Sequence, residues 1–322
     1  MIKAAVFFSI GLILLIFGGD WFVDGATGIA KRFQLPELLI GATIVAIGTT
    51  LPEVMVSASG ALQGHSQIAY GNALGSIICN TALISAVSVA LAPSKVEKKT
   101  IVLPFIFFFA AAGIYSWAAY GDGYFSRFEG ILLLIAFVLC VFMEVREAMK
   151  EKDDTEEDDD DGLAEVPLWK DILLLAIGAT AIALGADYLV DNGTIIAKGM
   201  GVPESVIALT FVSLGTSLPE LITAITSARK GHGLLSLGNI IGANFLNMTL
   251  VSGVSITLCP FAVPAEKLLF GMNASFVIDI PLVMIVMLIL TVPPLIRGKL
   301  YRWQGILLLF IYAAYCIFQF AS

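Results

Sequence analysis

Gly48-Thr49-Thr50-Leu51-Pro52-Glu53 returns 167 positions later as Gly215-Thr216-Ser217-Leu218-Pro219-Glu220. Each copy sets a carboxylate in a long apolar run, beside a proline, a glycine and two hydroxyl residues. Placing a carboxylate in hydrocarbon costs several kcal/mol, so an intramembrane glutamate implies a function. Two of them in matching surroundings point to one shared task.

The surroundings are those of a membrane protein. Of 322 residues, 58% are hydrophobic and 14% charged, with a mean hydropathy of +0.92. Soluble domains carry about 25% charged residues. Apolar stretches long enough to span a bilayer, roughly 17–25 residues, recur from end to end and leave no room for a separate soluble domain. The net charge of −8 belongs to one place: residues 151–165 hold ten acids and one lysine. The remainder is near neutral, so no basic face for nucleic acid is expected.

The spacing predicts an all-α polytopic membrane protein with helices over 4–30, 37–62, 68–93, 101–120, 126–148, 170–197, 204–228, 234–258, 269–294 and 303–321. The first run could pass for a signal peptide, but no small-residue cleavage site follows, so it reads as a membrane helix. With the N-terminus outside, the inner loops collect fourteen of the 18 lysines and arginines, among them Lys31, Arg32, Arg229 and Lys230. The positive-inside rule therefore puts both termini outside and the acidic loop in the cytoplasm. That loop, Lys150 to Val166, is too charged to bury anything and reads as a solvated linker. It lacks the alternating ligands and turn glycine of a calcium-binding loop.

Residues 18–80 align without a gap to 185–247. Asp20-Trp-Phe-Val-Asp24 meets Asp187-Tyr-Leu-Val-Asp191, Pro36-Glu37 meets Pro203-Glu204, Gly71-Asn72 meets Gly238-Asn239, and Asn80 meets Asn247. Five expected helices separate equivalent points, and an odd number inverts one copy against the other. The charges agree: Arg32 is matched by Gly199, while Leu62 and Gln63 are matched by Arg229 and Lys230. The expected organisation is a first five-helix repeat over 1–148, an acidic linker over 149–168 and a second five-helix repeat over 169–322. The motif-bearing parts of these repeats cover about 37–93 and 204–258. Inverted repeats around a midplane site are the usual build of secondary transporters.

The motif's chemistry follows from its residues. Proline has no N–H, so Pro52 and Pro219 leave the carbonyls of Gly48 and Gly215 without helical donors. Freed carbonyls, hydroxyls (Thr49 and Thr50, or Thr216 and Ser217) and a carboxylate are hard oxygen ligands, suited to sodium or calcium. A second constellation, Gly71-Asn72-Ala73-Leu74-Gly75-Ser76 with Asn80, puts Gly71 and Gly75 on one helix face and Ser76 and Asn80 on another. Its small residues predict close helix approach. If ionised, Glu53 and Glu220 balance one calcium ion or two sodium ions. An empty site would leave two carboxylates facing each other, which disfavours changing state unloaded.

The paired GT(T/S)LPE and GN-xx-G-xxxx-N motifs resemble the α-repeats of the sodium/calcium exchanger family, within the calcium/cation antiporter superfamily, and are most similar to its prokaryotic members. The resemblance covers nearly the whole chain. It implies a calcium/sodium antiporter in a prokaryotic inner membrane, without cofactor, working as a monomer, with ions held between helices 2, 3, 7 and 8. By match, Glu53 and Glu220 with the carbonyls of Thr49 and Thr216 would hold calcium. Sodium would add the carbonyls of Ala46 and Ser213, the side chains of Thr49, Ser76 and Thr216, and neighbouring Thr50 and Ser217. Asn80 and Asn247 would line the centre, and helices 1 and 6 would slide against the rest. Two positions depart from the pattern: Ala243 where Ser76 predicts serine, and Asn247 where some members have aspartate.

Other readings stay in view. The same glutamates could exchange protons for calcium. A passive channel would ordinarily need a path built by oligomerisation, and an intramembrane protease would need paired aspartates at a scissile bond. Asp20, Asp24, Asp187 and Asp191 read as interfacial acids, with a role in admitting ions as the alternative. Glu37 and Glu204 read as first-turn acids, and His65 and His232 as loop residues. Cys79, Cys140, Cys259 and Cys316 read as small buried hydrophobes. Asp279, before Pro281, has no counterpart in the repeat.

Overall fold

The computed structural model describes residues 2–33, 35, 37–91, 93, 95–96, 98–154, 167–200, 215, 217–265, 268–269 and 271–321. Pro36, Pro203, Glu204, Ser213, Thr216 and the loop 155–166 lie outside the described residues. The described chain is almost wholly helical: α1 Ile2–Arg32, α2 Gly41–Leu62, α3 Ser66–Leu91, α4 Lys98–Gly121, α5 Arg127–Asp154, α6 Leu168–Gly199, α7 Leu218–Arg229, α8 Gly233–Leu258, α9 Ser275–Arg297 and α10 Arg302–Ala321. Among the described residues, eight helices are long and apolar enough to cross a membrane. At 1.5 Å per residue, α1 is roughly 45 Å long against a hydrocarbon core of about 30 Å, a length that calls for tilt. Leu51, Met55, Ile135 and Phe310 are among the exposed apolar side chains, as lipid-facing positions require.

Contacts divide the chain into two compact units, each drawn from both halves of the sequence: Met1–Thr49 with Val145–Asn239, and Thr50–Glu144 with Ile240–Ser322.

The first unit is built on α1 and α6, antiparallel and packed backbone to backbone. A Cβ at Gly11 would lie 2.8 Å from the Gly185 carbonyl oxygen, and one at Gly25 would lie 2.6 Å from that of Asp171. At Gly18 the Ala181 Cβ would be 2.9 Å away, and a Cβ at Gly178 would overlap the Phe22 backbone. Gly11, Gly18 and Gly25 are seven apart, a spacing that keeps one stripe against a partner helix. The apolar core beside this seam contains Leu15, Phe22, Val23, Ala26, Ile40, Val45, Ile182 and Leu235. Arg32 Nε, in the last turn of α1, lies 3.6 Å from Asp171 Oδ2 in the first turn of α6. The α1 helix also meets α7, where a Cβ at Gly19 would lie 2.7 Å from Ile222 and 2.8 Å from Thr226. Lys230, just beyond α7, bonds Asp24 at 2.8 Å and the Asp20 carbonyl at 2.9 Å. This gives the two α1 acids, expected at an interface, a specific basic partner.

In the second unit α3 backs onto α10, where a Cβ at Gly305 would overlap the Ala86 carbonyl. The α5 and α8 helices meet at Gly130 against Thr257 and Gly253 against Leu134. Two short antiparallel ladders, Tyr124–Phe125 with Phe261–Ala262 and Leu268–Leu269 with Met272–Asn273, join loop ends. In α9 the tandem Pro293-Pro294 removes the N–H groups that Ile289 and Leu290 would otherwise receive. Gln304 Nε2 supplies the lack, donating to Ile289 O at 2.7 Å and Leu290 O at 3.4 Å.

Among the described residues, wide π-helical turns open or interrupt four of the helices, at Gly41–Val45, Asn80–Ser85, Asn247–Val251 and Ser275–Asp279. Such turns often mark functional positions. Two of them begin at the matched residues Asn80 and Asn247. Hydroxyl groups cap the widened backbone: Ser85 bonds Thr81 O at 2.6 Å, and Ser252 bonds Asn247 O at 2.9 Å. Asp279, unmatched in the repeat, closes the fourth turn.

Candidate functional site

The two copies of the motif are set differently. In α2, Pro52 sits inside a continuous helix that runs on to Leu62, with the wide turn at Gly41–Val45 just upstream. In the second copy Ser217 is the N-cap of α7, with Pro219 and Glu220 in its first turn. Proline is at home there, because the first-turn N–H has no helical acceptor anyway. The sequence predicted a helix over 204–228; the described portion begins at Leu218, apart from helical Gly215.

The first unit contains Ala46, Thr49, Ser217 and Glu220 of the expected ligands. Ala46 and Glu220 are wholly buried, and Ser217 and Thr49 nearly so. Phe22 of α1 closes behind the motif, its ring 3.3 Å from where a Gly48 Cβ would stand. Thr49 Oγ1 is 3.2 Å from Asn239 Oδ1 and 3.3 Å from the Ala46 carbonyl oxygen. Thr223 and Ser227 on the Glu220 helix, Ser236 on α8 and Ser217 are buried with hydroxyls that have no hydrogen-bond partner among the described residues.

The second unit contains Thr50, Glu53, Ser76, Asn80 and Asn247. Thr50, Glu53, Asn80 and Asn247 are wholly buried, and Ser76 is 4% exposed. Asn80 and Asn247 each keep both amide atoms without a hydrogen-bond partner among the described residues, as does the Thr50 hydroxyl. An unsatisfied buried polar group costs about 1–3 kcal/mol. Such groups persist where a polar guest completes their bonds. Ala243 is wholly buried and brings no hydroxyl to the position matched by Ser76.

Several polar groups went unassigned in the sequence. Asn72 Nδ2 donates to Glu53 O at 3.1 Å and Ser57 Oγ at 2.8 Å, tying α3 to α2 at the glutamate's level. Its match, Asn239, takes the Thr49 hydroxyl instead. Both stand in the quoted GN pairs, so the signal was present without a role. Asn244 Nδ2 donates to Thr81 Oγ1 at 2.7 Å and lies 3.2 Å from Met287 Sδ; Ile77 stands at its matched position, so the repeat held no hint. The close packing expected at Gly71 and Gly75 is not found: a Cβ at either would meet no described atom within 4 Å.

No three of His, Cys, Asp and Glu cluster among the described residues. The buried polar residues of the expected ligand set, apart from the two glutamates, are hydroxyls and amides. Such hard neutral oxygens fit cations of the sodium and calcium type.

Comparison with known proteins decides the class. A family model described as sodium/calcium exchanger protein matches residues 3–146 and 170–321. The chain belongs to the sodium/calcium exchanger family. Membership makes it an integral membrane transporter and not an enzyme. Among relatives of this exchanger-family chain, the sodium/calcium exchanger MaX1 of Methanosarcina acetivorans is 33% identical over 97% of each chain. The putative antiporter CaxA of Alkalimonas amylolytica is 34% identical over the full length of both. The sodium-calcium exchanger NCX_Mj, in a structure soaked with sodium and strontium, superposes with a TM-score of 0.80 at 32% identity, covering 97% of each chain.

Proposed function

We propose that this chain is a secondary antiporter that moves calcium against sodium by alternating access. Glu53 and Glu220 carry the cargo's charge, with Thr49, Thr50, Ser76, Thr216, Ser217, Asn80 and Asn247 and the carbonyls of Ala46 and Ser213 completing the ligand set. The observation that carries this reading is the complete burial of both glutamates, each in a unit that also buries hydroxyl groups of the expected ligand set. A carboxylate removed from water needs a compensating charge, and one divalent or two monovalent cations supply it for the pair. The repeat supports ten spans arranged as two inverted five-helix halves, 1–148 and 169–322. Both termini would face outward, with the acidic linker 149–168 in the cytoplasm of a prokaryotic cell.

Calcium uptake into vesicles under separate sodium, potassium and proton gradients tests the proposal. Uptake driven by an outward sodium gradient at clamped pH, and abolished by Glu53→Gln and by Glu220→Gln, is the expected result. Uptake driven only by a proton gradient would assign the same glutamates to proton/calcium exchange. Flux without any counter-ion dependence would make the protein a channel.

A further inference from the structure

Thr49 has one hydroxyl proton and two acceptors within reach: Asn239 Oδ1 at 3.2 Å and the Ala46 carbonyl oxygen at 3.3 Å. Both acceptors are completely buried, and Thr49 is 3% exposed. A hydroxyl can ligate a cation only with its oxygen lone pairs, so its proton must point elsewhere. If Ala46 O turns to the same cation, it can no longer receive that proton. Asn239 Oδ1 is then the acceptor that remains.

We propose that Asn239 is a positioning residue for sodium: it accepts the hydrogen bond of the Thr49 hydroxyl, leaving the Thr49 oxygen lone pairs and the Ala46 carbonyl both free to face the ion. The inference rests on the functional reading above, in which both are sodium ligands.

Three features of the structure support the assignment. Asn239 Nδ2 is buried and has no hydrogen-bond partner among the described residues. Its oxygen is satisfied while its nitrogen is not, so the side chain is held there for its acceptor. The matched Asn72 shows the other use of the same residue, with Nδ2 committed to Glu53 O and Ser57 Oγ. Position 57 is matched by Ala224, so the hydroxyl that would engage the Asn239 nitrogen is missing. An amide accepts this hydrogen bond less strongly than a carboxylate would, but adds no third charge to the electroneutral count.

The test is a double-mutant cycle in proteoliposomes, measuring the sodium concentration for half-maximal exchange and the KM for calcium. Asn239→Leu is expected to raise half-saturating sodium about fivefold, the effect of one lost hydrogen bond, with calcium KM changed less than about twofold. In a Thr49→Val background the same substitution is expected to add nothing, because the proton it receives is gone. Asn239→Asp keeps the acceptor and is expected to hold half-saturating sodium at or below the wild-type value. Equal shifts for both ions, or additive effects of Asn239→Leu and Thr49→Val, would overturn the assignment. Where Asn239→Leu does not yield folded protein, a rise in half-saturating sodium in Asn239→Asp overturns it alone. Wild-type vesicles whose calcium uptake ignores sodium would instead overturn the functional reading, a result seen before any variant is made.

Discussion

Asn72 donates a hydrogen bond across the helix boundary to the backbone carbonyl of Glu53, at 3.1 Å. The same nitrogen holds Ser57 one turn further on, at 2.8 Å. The amide therefore sets the height of α2 against α3 at the glutamate itself. Replacing Asn72 by leucine removes both bonds and strands a buried hydroxyl, a loss of about 1–3 kcal/mol. Calcium KM is expected to rise about tenfold, one decade per 1.4 kcal/mol. An unchanged KM with a lowered melting midpoint would show the contact to be structural only.

Two ion pairs of the first unit are expected to differ in worth. Lys230 and Asp24 lie 2.8 Å apart, with 26% and 54% of their side chains exposed. Water screens such a pair to about 0–1 kcal/mol. Lys230→Gln, which restores the residue matched at Gln63, is expected to move the melting midpoint by no more than about 2–4 °C. Arg32 and Asp171 are 3.6 Å apart, but Asp171 is only 7% exposed. Removing one partner of a buried pair costs up to about 3–5 kcal/mol, so Asp171→Leu is expected to lower the midpoint by several times more. Equal small effects would show that Arg32 keeps its hold on α6 by other contacts.

Gln304 stabilises a helix other than its own. Its amide feeds two carbonyls that Pro293 and Pro294 leave bare. Gln304→Leu, a nearly isosteric change, should strand both and cost about 1–3 kcal/mol. The expected result is a melting midpoint lower by roughly 2–8 °C, with sodium and calcium half-saturation unaltered. A shift in ion affinity would place α9 in the transport cycle.

Ala243 tests the asymmetry between the repeats. It is wholly buried where its match, Ser76, carries a hydroxyl. Restoring that hydroxyl with Ala243→Ser is expected to lower half-saturating sodium about threefold, within the worth of one hydrogen bond. Reversal-potential and affinity measurements identical to wild type would remove position 243 from the sodium path.

Much of this was legible in the chain before any coordinates. Apolar length revealed the membrane helices, and self-comparison revealed the repeat. The cost of a carboxylate in hydrocarbon singled out Glu53 and Glu220, both of which prove completely buried. What escaped has a common physical cause. A π-helical turn such as Asn80–Ser85 adds one residue to a helix and leaves no mark in composition. The partnership of Thr49 with Asn239 joins residues 190 positions apart, and nothing local to either announces the other. Gln304 answers prolines on a neighbouring helix, so its purpose exists only once the two are packed. Gly71 and Gly75 misled in the opposite sense, since small residues permit close approach without requiring it.

The glycine seam of α1 and α6 has a consequence at the level of the gene. Glycine codons change by one base to alanine, serine, valine, arginine, cysteine, tryptophan, aspartate or glutamate codons, and every one of these residues carries a Cβ. At Gly11, Gly25, Gly178 and Gly185 that first carbon falls on backbone, which cannot rotate aside. No missense step is therefore mild there. In a survey of all single substitutions these sites should stand out as near-blank columns, spaced by sevens and doubled by the partner helix. The lipid-facing leucines and isoleucines between them should drift freely.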